Sequence, residues 1–76
     1  MRFPSKEIVE NLRKEYKVGS IVELVEMEDP QAPPIGTKGK VRGVDDTGSI
    51  MVAWENGSRL NVVYGEDTCR IISKND

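Results

Sequence analysis

The chain has 76 residues, with 11 lysines and arginines against 13 aspartates and glutamates and a net charge of -2. That is one domain, and a domain so small buries only about 60% of the surface its unfolded chain exposes, so its core must be small. The interspersed, nearly balanced charge excludes a global field that would draw in nucleic acid or an acidic membrane; the single Cys69 excludes an internal disulfide, and the lack of histidine an ordinary zinc site.

The first residues, MRFPSKE, hold no apolar run of signal-peptide length, and the roughly 18 consecutive apolar residues of a membrane span occur nowhere. No membrane partner is expected, and the unpaired cysteine fits a reducing, cytoplasmic setting. Pro4 and Ser5 followed by KEIVENLRKEY predict a helical lead-in over 5–17, with Ser5 as cap and Glu7 in the first turn, where the helix dipole favours a carboxylate. Ile8, Val9, Leu12 and Tyr16 share a stripe that must pack on something, and capping one end of a small barrel is the plainest use for it.

SIVELVEM, residues 20–27, predicts the first strand, with Val22 and Leu24 inward. EDPQAPPI follows, and Pro30, Pro33 and Pro34 forbid a regular ladder there, so 28–35 is a stiffened surface loop. GTKGKVRGV, residues 36–44, predicts a second strand with Thr37, Gly39, Val41 and Gly43 on one side and Lys38, Lys40, Arg42 and Val44 on the other.

Beyond the turn at Asp45-Asp46-Thr47-Gly48 lies SIMVAWENGSRLNVV, two apolar-alternating runs joined by Asn56-Gly57. A three-residue loop, Glu55 to Gly57, collects Ile50, Val52, Trp54, Leu60 and Val62 on one face and leaves Met51, Ala53, Arg59 and Asn61 on the other. Trp54 then faces Ser58, Val52 faces Leu60 and Ile50 faces Val62. Pairing Val44 with Ser49 independently sets Val41 against Val52 and Gly39 against Trp54, where the glycine leaves room for the indole. Thr68 to Ser73 is the last strand. One domain is expected over 1–76: a helical lead-in and, over 20–73, a mainly β, small five-stranded SH3-like barrel with one N-terminal α-helix.

The glycine-punctuated GTKGKVRGVDD resembles the second strand of SH3-like barrels. VAWENGSRLNVVYGEDTCRII is similar in part to the Mib/HERC2-type barrel progression of V-x-W-x-N-G, then Y-x-x-G, then D-L-R-I; here Tyr64 directly precedes Gly65 and Cys69 stands at the leucine. From Pro4 to Ile72 the chain more closely resembles a bacterial and phage family of short proteins catalogued as a domain of unknown function. That resemblance implies an SH3-like barrel with a helical lead-in and a source among bacteria or their mobile elements, and it implies no activity.

Catalysis is not expected. No histidine can act as a base at neutral pH, Cys69 has no imidazole to activate it, and an apolar strand suggests a buried, inert thiol. The pairs Glu28-Asp29, Asp45-Asp46 and Glu66-Asp67 lack the alternating spacing of a calcium loop and read as solvated turns, so neither cofactor nor metal is expected.

Binding is the expected role, most simply to an unidentified protein, with the chain itself a monomer. The candidate surface is the outer sheet face, Lys38, Lys40, Arg42, Met51, Arg59 and Asn61, where cations surround an apolar centre and suit an acidic protein segment. The alternative is weak nucleic-acid binding by the same cations, for which only Phe3, Tyr16 and Tyr64 remain as stacking platforms. The proline loop, with Pro30, Pro33 and Pro34, is the second candidate, as a wall bordering a peptide groove.

Overall fold

The computed structural model describes residues 4–74, over which the chain runs α1 (Lys6–Glu15), β1 (Ile21–Glu26), β2 (Lys38–Val44), β3 (Ser49–Trp54), β4 (Val62–Val63) and β5 (Thr68–Ser73). The strands form one antiparallel sheet in the order β4-β3-β2-β1-β5. The expected mainly β architecture with five strands and a leading helix is therefore present. The barrel is open, because β4 and β5 approach each other without sharing a ladder.

Ser5 caps α1 by accepting the Ile8 amide at 3.3 Å, and Val9 and Leu12 carry the helix's apolar stripe into the core. The helix ends two residues before the expected limit of 17: Tyr16 still donates its amide to the Leu12 carbonyl at 2.8 Å, but its ψ of 72° leaves the helical path. Its half-buried ring then packs against the core near Cys69. Leu12 and Tyr16 border a cleft with Val62 and Cys69, so the helix sits where the barrel fails to close. Arg13 fixes that position, donating through Nε to the Val44 carbonyl at 3.1 Å and through Nη2 to Asp46 at 2.7 Å.

Inside the sheet, Val22, Leu24, Val41, Ile50, Val52, Trp54 and Val62 pack with the helix, as alternation predicts. Gly39 faces Trp54, Lys40 faces Ala53 and Val41 faces Val52, so this part of the expected register is correct. Trp54 is only 4% exposed, and exposed Lys40 lies on the opposite face from buried Val41.

The turn before β3 differs from expectation. Asp45, and not Val44, pairs with Ser49, its amide donating to the Ser49 carbonyl at 3.0 Å. The Asp45 carboxylate accepts the amides of Thr47 and Ser49, both at 3.0 Å, and the Thr47 hydroxyl at 2.7 Å, which holds the loop to three residues. A bulge between Val41 and Gly43 absorbs the one-residue slip and restores the inner register. The bulge also reverses the parity beyond it: Val44, expected outside beside Arg42, faces Ile50 and is 7% exposed, while Gly43 faces Met51.

The hairpin tip matches the three-residue loop. Trp54 donates its amide to the Ser58 carbonyl at 3.1 Å, and Gly57 takes the positive φ of 90° that a glycine adopts without a Cβ penalty. Ile50 faces Val62 as expected. The expected Val52–Leu60 pair is not formed, and the return strand shrinks to Val62–Val63. Side chains have claimed the backbone groups that pair needs: the Trp54 indole donates to the Leu60 carbonyl at 2.8 Å, and the Ser58 hydroxyl accepts the Leu60 amide at 3.3 Å.

Candidate functional site

Two surfaces stand out, and their lining residues do not overlap. The first is the outer face of β1, β2 and β3. Alternate residues of a strand share a face about 6.6 Å apart, so Lys38, Lys40 and Arg42 leave β2 on the side away from the core, and all three are exposed. Lys40 stands in a row between Ile21 and Ala53, both half-buried, and a shallow pocket of 240 Å³ opens there. Among the described residues none of these three cations forms an ion pair; the two ion pairs found are Arg13–Asp46 and Arg70–Glu23. Lys38 has acidic neighbours on both sides, Glu23 across β1 and Glu55 at the end of β3.

The structure brings together only part of the expected cationic set. Arg42 is the bulged residue, so Met51 faces Gly43 in its place. Arg59 and Asn61 sit in the stretch that leaves the ladder after Trp54, and Asn61 lines a different groove. Of the stacking candidates, Tyr16 and Tyr64 both border the cleft beside Cys69, and Phe3 lies outside the described residues.

The second surface is an open groove of 640 Å³, lined by Met27, Glu28 and Asp29 at the start of the β1–β2 loop, by Ser49, and by Leu60, Asn61, Val63, Glu66 and Asp67. The groove is bordered by the first residues of the β1–β2 loop, and the expected Pro30, Pro33 and Pro34 do not line it. Pro33 is buried, while Pro30 and Pro34 are exposed. The loop is braced from within, since Asp29 accepts the Gln31 amide at 2.8 Å and Thr37 donates its amide to the Pro34 carbonyl at 3.0 Å.

Cys69 is buried, and burial first of all pushes its thiol up to about 11, with Glu15 adding to the shift and a hydrogen bond from Tyr16 opposing it. The same desolvation raises the Tyr16 phenol to about 12. Such a thiol holds little thiolate near neutral pH, which leaves it a packing group. Among the described residues no three potential ligands converge to hold a metal ion, and no helix is long and apolar enough to cross a membrane.

The profile of one protein family, described as a domain of unknown function (DUF4314), matches residues 5–72. The chain belongs to that family. No curated protein and no solved structure matches the DUF4314 domain seen here. Its groove escapes a reading of the sequence because Glu28-Asp29 and Glu66-Asp67 each look like an ordinary solvated turn. Only the fold brings the two pairs to one depression.

Proposed function

We propose that this domain is a non-catalytic protein-interaction module that receives an acidic segment of its partner on the outer face of β1, β2 and β3. The observation that carries this reading is the row of exposed, unpaired Lys38, Lys40 and Arg42 beside the half-buried Ile21 and Ala53. Apolar contact supplies affinity there, and the cations supply orientation and speed of encounter. Strand order β4-β3-β2-β1-β5 with a long first loop and tight middle turns supports an SH3-like barrel as its scaffold. A buried free thiol fits the reducing interior of a cell, while a source among bacteria or their mobile elements rests on sequence resemblance alone.

Nucleic-acid binding is the second reading, favoured by the same unneutralised cations. Against it stands the placement of Tyr16 and Tyr64 in the cleft beside Cys69, away from this face, where they offer no stacking platform to a base. An amide NMR titration separates the two, using a short glutamate- and leucine-containing peptide, then mixed-sequence RNA and DNA, each at low and at physiological salt. Shifts at Lys38–Arg42 and Ala53 that the peptide elicits and that persist at physiological salt are the expected result. Shifts there with nucleic acid alone, fading as salt rises, would replace the protein reading with the second one.

A further inference from the structure

We infer that the groove between the β1–β2 loop and the β4–β5 turn is a second docking site, whose occupant is an extended, arginine- or lysine-bearing segment of a protein. The groove's 640 Å³ lies within the range of concave ligand sites, and it is the larger of the two candidate surfaces. Half-buried Met27, Leu60 and Val63 give it apolar lining to hold side-chain stems. Asn61, exposed on its wall, presents an amide able both to donate to and to accept from the backbone of an extended chain.

Charge selects the occupant. Glu28 and Glu66 both line the groove, their side chains in no hydrogen bond or ion pair among the described residues, and no lysine or arginine lines it. Asp29 and Asp67 lie beside them, each partly engaged, Asp29 with the Gln31 amide and Asp67 with the Val63 amide at 2.9 Å. A polyphosphate is repelled by such walls. A single metal ion is poorly matched as well, since among the described residues no three potential ligands converge to hold one. Cationic groups spaced along an extended segment, each meeting one of the two acidic pairs, satisfy this arrangement, and the apolar lining takes the stems between them.

The brace within the proline loop keeps the Glu28-Asp29 end of that loop in place before anything binds, which lowers the ordering cost of docking. The backbone of β4 is short and its preceding stretch is already engaged by Trp54 and Ser58, so recognition runs through side chains and Asn61 and not through added strand pairing.

The test is an amide NMR titration of the whole chain with a short peptide alternating arginine and leucine, against the same peptide with glutamate in place of arginine. Shifts are expected at Met27–Asp29, Leu60, Asn61 and Glu66 with the basic peptide only. The charge-reversed pair Glu28→Lys with Glu66→Lys, both exposed side chains, should weaken binding about tenfold while leaving the spectrum of the core unchanged, on the scale of two exposed charge contacts reversed. Equal binding of the reversed variant, or shifts confined to residues outside the groove, would overturn the inference. So would saturation of the groove residues by calcium alone, which would make the carboxylates an ion site. Because Lys38, Lys40 and Arg42 take no part, failure here leaves the outer-face reading standing, and the converse holds.

Discussion

Replacing Gly39 with alanine tests the packing on which the sheet's register rests. A Cβ at this position would lie 2.5 Å from Val52 Cγ1, 2.8 Å from Trp54 Cε3 and 3.1 Å from the Ala53 carbonyl oxygen. Carbon atoms prefer roughly 3.5–4.0 Å, so Val52 and the indole must each retreat by about 1 Å. Neither has room, since Val52 is fully buried and Trp54 is held by its bond to Leu60. Overpacking of this kind costs about 1–3 kcal/mol, while the lost glycine freedom of the unfolded chain returns roughly 0.4–1 kcal/mol. The expected net loss is about 1–2 kcal/mol, a fall in Tm on the order of 5–15 °C for a domain of this length. Urea denaturation followed by Trp54 fluorescence should show a lower midpoint at unchanged slope. Trimming Val52 to alanine removes the nearest obstructing atom, so Gly39→Ala should cost much less in that background. An alanine variant as stable as the parent, or an equal loss in both backgrounds, would refute the steric argument.

Further outcomes follow from the other tertiary bonds. Trp54→Phe leaves the Leu60 carbonyl without its indole donor and should cost about 1–2 kcal/mol, with faster amide exchange concentrated at 58–61; uniform exchange changes across the sheet would contradict that role. Because burial raises the Cys69 thiol from 9 to about 11, its contribution to stability is complete below about pH 9 and is lost as pH rises through 11, with Tyr16 extending the decline toward 12. Circular dichroism between pH 8 and 12 should show this alkaline loss, reduced in Cys69→Ala, and native Cys69 should resist alkylation until urea unfolds the chain. Asp45 behaves in the opposite sense. Burial opposes its ionised form, but the Thr47 hydroxyl, the amides of Ser49 and Thr47, and Arg13 outweigh it and hold the carboxyl below its ordinary 3.8. Its contribution is present above that value and fades as pH falls through the lowered pKa, so Asp45→Ala should flatten the acid limb of a stability–pH curve and lower stability near neutrality.

The helix start at Ser5, the three-residue loop at Glu55 to Gly57, the inward Val22 and Leu24 and the cation row of β2 were legible in the amino-acid sequence. Each depends on groups a few residues apart, or on the period of two that any half-buried strand must keep. The pairing of Gly39 with Trp54 also matches the sequence, through the three-residue loop at Glu55 to Gly57; the Val44–Ser49 turn that pointed to the same pairing does not form, and the bulge cancels its one-residue slip.

What the sequence left open was decided wherever distant groups compete for the same backbone or the same space. The bulge at Arg42 and Gly43 arises because Asp45 draws the turn into three residues while the inner face demands Val41 opposite Val52, and one extra residue reconciles the two. Val44 then turns inward, against its place in the alternation. The return strand is short because an indole already buried by the core is near enough to take the Leu60 carbonyl, a partner no local pattern announces. The groove belongs to this second kind. Glu28 and Glu66 are ordinary turn residues along the chain, and they come to line one groove only because the sheet wraps far enough to bring the first loop toward β4 and stops short of closing onto β5.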